Sequence, residues 1–229
     1  YNSQNNTRED LGGLTKQIPL TDAVNSRYFV VHIPNAILQE SKTKSDKKYP
    51  LVIFFHGLMS CAWVSALYTT NWISHANDNN FIVAFGQAKG KLHAEPFREK
   101  WGCISCGETF WDIETSAIVD TPFDNDYDYM NAMITTIDLH VLNQNVQIDK
   151  QRIYYHGYSN GGIFSSNLAI KFGGNLFAAM CNMCGGFPSE LSNYKDKDKL
   201  SFNIEQDLDK SNSDFKKKIS MPIFIITGT

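Results

Sequence analysis

No apolar stretch in this chain approaches the roughly 20 residues that a membrane-spanning helix needs. The longest runs, such as Leu51 to Phe55, have the length of a strand. The expectation is therefore of no membrane partner. Charge of one sign is also missing: 21 Lys and Arg against 24 Asp and Glu leave a formal charge of -3. That balance gives no reason to expect nucleic acid or an anionic surface as partner. Internal repeats are absent. No signal peptide is visible within the sequence, which begins at Tyr1 rather than at methionine. That start fits a mature secreted protein and a trimmed chain equally well. Histidine is absent after His156: all six (His32, His56, His75, His93, His140 and His156) precede the residue singled out below.

What is present describes a packed protein. Hydrophobic content of 42% and aromatic content of 13% over 229 residues argue against disorder and suffice for one domain with a substantial core. Five cysteines occur. Cys181 and Cys184 lie in an apolar run and read as core thiols or a local bridge rather than zinc ligands. Cys103-Ile104-Ser105-Cys106 is the better disulfide candidate, with Cys61 as a further partner. Asn5-Asn6-Thr7 matches a glycosylation acceptor.

Residues 1–26 are polar and read as loop. Arg27 to Pro34 reads as a first strand, and 35–48, with four lysines, as a solvated connection. Tyr49 to His56 is a near-continuous apolar run, the pattern of a strand covered on both faces. A helix is expected over Thr70–Asn77 and a strand over Asn80–Gly86. Gln87 to Val119 reads as long loops that build a substrate site. Further helices are expected over Asp124–Asn143 and Asn160–Phe172, with strands over Arg152–Gly157 and Phe177–Cys184. Residues 195–218 read as a charged excursion. Met221 to Thr229 reads as one more buried strand. Strands alternating with helices predict a mostly parallel sheet with helices on both faces, a three-layer α/β sandwich.

The densest signal is His156-Gly157-Tyr158-Ser159-Asn160-Gly161-Gly162, a G-x-S-x-G between an expected strand and an expected helix. In a nucleophile elbow the serine occupies a sharp strained turn, and the positions two before and two after must be small. Here they are Gly157 and Gly161. Ser159 is the candidate nucleophile, and the N–H of Asn160 a candidate oxyanion donor at a helix N-terminus. The second donor is expected after Gly57, from Leu58, with Met59 as next choice. His56 reads as structural. Tyr158, Trp63 and Trp111, with the loop from Trp101 to Trp111, are candidates for lining a substrate pocket. Ordinary core packing is an equally good reading of these aromatics.

These residues resemble a known family. Tyr49-Pro50-Leu51-Val52-Ile53-Phe54-Phe55-His56-Gly57, followed by Gly157-Tyr158-Ser159-Asn160-Gly161-Gly162, is similar to the polyhydroxybutyrate depolymerase and feruloyl esterase group of α/β-hydrolases, the carbohydrate esterase family 1-like enzymes. Asn71 to Gln87, Val119-Asp120 through Met130 and Met133-Ile134, and Met221 to Thr229 extend the resemblance over about residues 25–229. It implies an α/β-hydrolase fold and a secreted serine esterase needing neither metal nor organic cofactor. The implied substrates are feruloyl or hydroxycinnamoyl polysaccharide esters or short polyesters. It also implies a triad Asp shortly beyond Thr229 and a His later still, so a longer, C-terminally continued natural chain is expected. Two rival readings are a non-catalytic binding or structural component with a hydrolase fold, and a prolyl-oligopeptidase-like serine peptidase.

Overall fold

The computed structural model describes residues 7–20, 27–43, 46–98, 104–111, 126–172, 176–185 and 222–226. For 91–98, 104–105 and 170–171 it describes the backbone alone. Asn5, Asn6, Trp101, Cys103 and the 195–218 excursion lie outside the described residues.

The apolar run after Lys48 becomes the central strand β4 (Lys48–Phe55), and Leu51, Ile53 and Phe55 within it are wholly buried. A strand hydrophobic at consecutive positions needs cover on both faces, and it receives it. Leu51, Ile53 and Phe55 join one cluster with residues of α4 (Asp126–Leu142) and α5 (Asn160–Phe172). Val52 and Phe54 join the other, with α2 (Ala62–Val64), a π-helical turn at Ser65–Thr69, and α3 (Trp72–Asn79). Beside β4 run β5 (Ile82–Gly86) and β8 (Gln147–Tyr158), both parallel to it. Beyond β8 come β9 (Ala179–Met183) and β10 (Ile223–Ile226), again parallel.

On the far edge β3 (Tyr28–Pro34) pairs antiparallel with β5 and with β2 (Gly13–Pro19), which pairs with β1 (Thr7–Arg8). The eight strands run in the order β1-β2-β3-β5-β4-β8-β9-β10. The expected loop at 1–26 is thus corrected by two strands. An antiparallel strand with one solvated face accepts polar side chains, and β2 gains seven register pairs with β3 plus a buried Thr15–His32 bond of 2.7 Å. The connection at 35–48 likewise begins as a short helix, α1 (Asn35–Glu40), seated by buried Ile37. The expected loops after Gln87 contain an antiparallel hairpin, β6 (Lys89–Arg98) and β7 (Ile104–Phe110). The carboxyl ends of β4 and β8 lie side by side, Phe55 opposite Gly157, and that pairing places the site.

Candidate active site at the turn between β8 and α5

Between β8 and α5 stands a single residue, Ser159, at φ 53°. A non-glycine residue in this left-handed region costs on the order of 1–3 kcal/mol and persists only where its surroundings over-determine it. They do so here. Ser159 N–H donates to Met183 O at 2.9 Å, and its carbonyl accepts from Ile163 N–H at 3.0 Å in the first turn of α5. The flanking glycines are obligatory. A Cβ on Gly157 would overlap the Gly161 carbonyl and Ser165 Oγ, and one on Gly161 would overlap the carbonyls of Phe55 and His56. One on Gly162 would stand 2.5 Å from Asn182 Oδ1. Strand, turn and helix therefore approach as closely as main chains can. Ser159 stays half-buried and Tyr158 exposed.

The segment after β4 lies against this turn. A Cβ on Gly57 would be 3.3 Å from the Tyr158 ring and 3.4 Å from Ser159 Cβ. Its main-chain donors divide clearly. Met59, itself at φ 63°, gives its N–H to Thr109 O at 2.8 Å and accepts from Cys106 N–H at 2.8 Å. Its expected role as second-choice oxyanion donor is corrected: that N–H is already committed to β7. The N–H groups of Leu58 and Asn160 have no acceptor among the described residues. Asn160 opens α5, whose dipole favours negative charge at that end.

Three of the histidines are engaged elsewhere. His56 donates from Nδ1 to Gly57 O at 2.7 Å and accepts Ala88 N–H on Nε2 at 3.1 Å, which fixes its tautomer. Complete burial pushes its pKa down to about 4, so it is neutral and holds the loop. His156 accepts Trp72 Nε1–H at 3.1 Å, and burial lowers it also to about 4. His32 sits between Thr15 and Asn77. The side chain of His93 lies outside the described residues. Ser159 Oγ has no hydrogen-bond partner among the described residues.

Two expected pocket residues are corrected. Trp63 is 4% exposed, packs in the α2–α3 cluster, and gives its indole N–H to Gln17 Oε1 at 2.7 Å. Trp111 is 0% exposed and stacks on Phe164 at 4.9 Å with 8° between planes. Large indoles gain more from burial between sheet and helix than from lining a wet cleft. Their N–H groups found acceptors, which made that burial cheap. Tyr158 alone of the three proposed aromatics reaches solvent, at 46% exposure.

Sequence reasoning missed a buried ion pair. Arg27 Nη1 meets Asp126 Oδ1 at 2.6 Å, while Arg27 Nε and Nη2 both donate to Gln87 O at 3.0 and 2.7 Å. The guanidinium lies 3.7 Å from the centre of the Tyr129 ring, whose hydroxyl accepts Gln87 N–H at 2.7 Å. This cluster fixes the chain where it leaves β5. An acidic residue in the first turn of α4 was its one sequence sign. Cys106 does form a disulfide, with Cys61, whereas Cys181 and Cys184 are free thiols rather than a local bridge. Among the described residues no group of three or more His, Cys, Asp or Glu could hold a metal ion.

No protein-family profile matches the chain. It is 35% identical over 227 residues to an uncharacterised hydrolase of Acanthamoeba polyphaga mimivirus, an alignment that takes in 95% of this chain and 64% of that protein. The chain thus spans a little under two thirds of that relative. Among solved structures it is similar to a fluorophosphonate-binding serine hydrolase of Staphylococcus aureus, with a TM-score of 0.56, 17% identity, and coverage of 95% of this chain and 80% of that one. A ferulic acid esterase gives a TM-score of 0.51 and 17% identity over 75% of this chain and 58% of its own. An S-formylglutathione hydrolase of Agrobacterium tumefaciens gives 0.54 and 15% over 78% and 60%. With the parallel sheet, the helices on both faces and the strand–serine–helix turn, these likenesses identify the architecture: the chain has the α/β-hydrolase fold.

Proposed function

We propose that this chain carries the nucleophile and the oxyanion donors of a serine hydrolase acting on carboxylic esters. The observation that carries the reading is Ser159 at φ 53°, held between β8 and α5 by glycines that admit no side chain. Ser159 Oγ attacks the ester carbonyl as its proton passes to a base, and the alcohol leaves with a proton. A water then attacks the acyl carbon and releases the acid and the free serine. Leu58 and Asn160 N–H groups receive the oxyanion of each tetrahedral intermediate, where losing one donor typically costs about 100- to 1,000-fold in rate. By the family resemblance the base and its acid partner would be a His and an Asp. No metal or organic cofactor enters these steps.

The substrates proposed are feruloyl or hydroxycinnamoyl esters of polysaccharide, or short polyesters. Solved structures with this fold include proteins named as a ferulic acid esterase and an acetyl xylan esterase, which supports the ester class. Exposed Tyr158 beside the serine suits an aromatic acyl group. Secretion is proposed with it, since the Cys61–Cys106 disulfide suits an oxidising compartment.

The test is fluorophosphonate labelling of the full-length protein, followed by mass spectrometry of the Ser159 peptide. Labelling at Ser159, lost in Ser159→Ala together with about 10⁴-fold or more of ester hydrolysis, is the expected result. Hydrolysis of proline amides but not esters would favour a peptidase of the prolyl-oligopeptidase type. An unlabelled, inert full-length protein would favour a non-catalytic binding component.

A further inference from the structure

We propose that Trp111 is the positioning residue of the oxyanion site, an inference that rests on the serine-hydrolase reading above. Its indole N–H donates to His56 O at 2.9 Å. Its main-chain N–H donates to Asn160 Oδ1 at 2.7 Å, and its carbonyl accepts from Asn160 Nδ2 at 3.3 Å. Leu58 follows His56 by two residues, and Asn160 supplies the other donor. One residue therefore ties together the two segments from which the donors come. Those segments are about a hundred positions apart in sequence, and each could otherwise settle against the sheet independently.

The anchor is itself immobile. The indole is 0% exposed, stacks on Phe164 at 4.9 Å and meets Phe55 edge-on at 5.1 Å. Phe164 belongs to the first turns of α5 and Phe55 ends β4, so the ring touches the same two elements a second time. The Asn160 carboxamide serves Trp111 alone among the described residues. Such rigidity matters because oxyanion donors work only near 2.7–3.1 Å from the developing charge, and misplacement by about 1 Å can cost on the order of 100-fold.

Two variants in the full-length protein test this. Trp111→Phe retains the ring stack and the main-chain bonds and removes the indole donor. Asn160→Ala removes the carboxamide and keeps its own main-chain N–H. Steady-state hydrolysis of p-nitrophenyl acetate is read with inhibition by a trifluoromethyl ketone, whose serine adduct is an oxyanion. Each variant is expected to lower kcat about 10-fold or more, with KM within about two-fold. The ketone's inhibition constant should rise by the factor that kcat/KM falls. The double variant should lose little more than either single one, because either cut already frees the two donors relative to each other.

A raised KM with unchanged kcat would overturn the proposal and return Trp111 to the pocket wall. Unchanged kinetics and ketone affinity with a lowered Tm would overturn it in favour of core packing alone. If Trp111→Phe does not fold, Asn160→Ala decides by itself. A wild-type protein that takes no fluorophosphonate label and hydrolyses no ester sinks the serine-hydrolase reading, and this inference with it. A labelled, active wild type beside unaffected variants sinks this inference alone.

Discussion

The two halves of the site are built in opposite ways. The serine turn is assembled from neighbours in sequence: strand, Ser159 and helix are continuous, and the glycines that permit their approach lie within six residues. The segment after β4 is assembled from distance. His56 bonds Ala88, Met59 bonds Thr109, Cys61 is joined to Cys106, and Trp111 returns to His56. A short contiguous motif tolerates almost no side-chain change but needs few allies. A segment held by scattered contacts tolerates single losses and weakens by degrees.

Gly161→Ala attacks the first half at its least tolerant point, because the new methyl overlaps the Phe55 and His56 carbonyls. We expect a loss above about 4 kcal/mol or no folded protein, read by denaturant unfolding. A near-wild-type midpoint would mean that the turn can relax. Removing the Cys61–Cys106 bridge, whose partners are 45 residues apart, attacks only the second half. Its chain-entropy contribution is about 2–4 kcal/mol. The Cys61→Ser, Cys106→Ser double variant should remain folded with a lowered Tm. A variant that cannot fold at all would erase the contrast between the halves.

Acid strikes both halves, through His56 after β4 and His156 on β8. His56 and His156 have folded pKa values near 4, below the unfolded 6.5, because burial disfavours their charged forms. Their contribution is therefore complete above about pH 6.5 and is lost as pH falls toward 4, by about 3 kcal/mol for His56 alone. Unfolding should take up protons over that window. A flat stability between pH 6.5 and 4.5 would contradict it. The smallest effect sharpens the comparison from the other side. Ser159→Gly relieves the left-handed backbone and should raise stability by about 1 kcal/mol while abolishing activity.

The same division explains what could be read in advance. β4 and the serine turn were legible because five buried residues in a row and a G-x-S-x-G between strand and helix are local signals. The strand at Gly13–Pro19 was not, since its polar side chains fit a strand defined only by pairing with β1 and β3. Neither were the hairpin after Gln87 and the roles of Trp63 and Trp111. Composition marks an indole as valuable contact area but does not say whether a substrate or Phe164 will supply the contact. Met59 stood as next choice of donor after Leu58, and only the fold shows that β7 takes its N–H. The Arg27–Asp126 pair joins residues 99 positions apart, and the acidic first turn of α4 does not by itself name Arg27 as the partner.

The bond from Ser159 N–H to Met183 O has a temporal consequence. Met183 is translated 24 residues after the serine, and Cys184 beside it is tied in turn to Ile226 O. On the ribosome the hydroxyl thus has no fixed perch until later strands emerge and dock. On the serine-hydrolase reading proposed above, the order of synthesis would guard the growing polypeptide against premature chemistry. Arrested nascent chains ending before Met183 should then take no fluorophosphonate label, whereas the finished protein should take it.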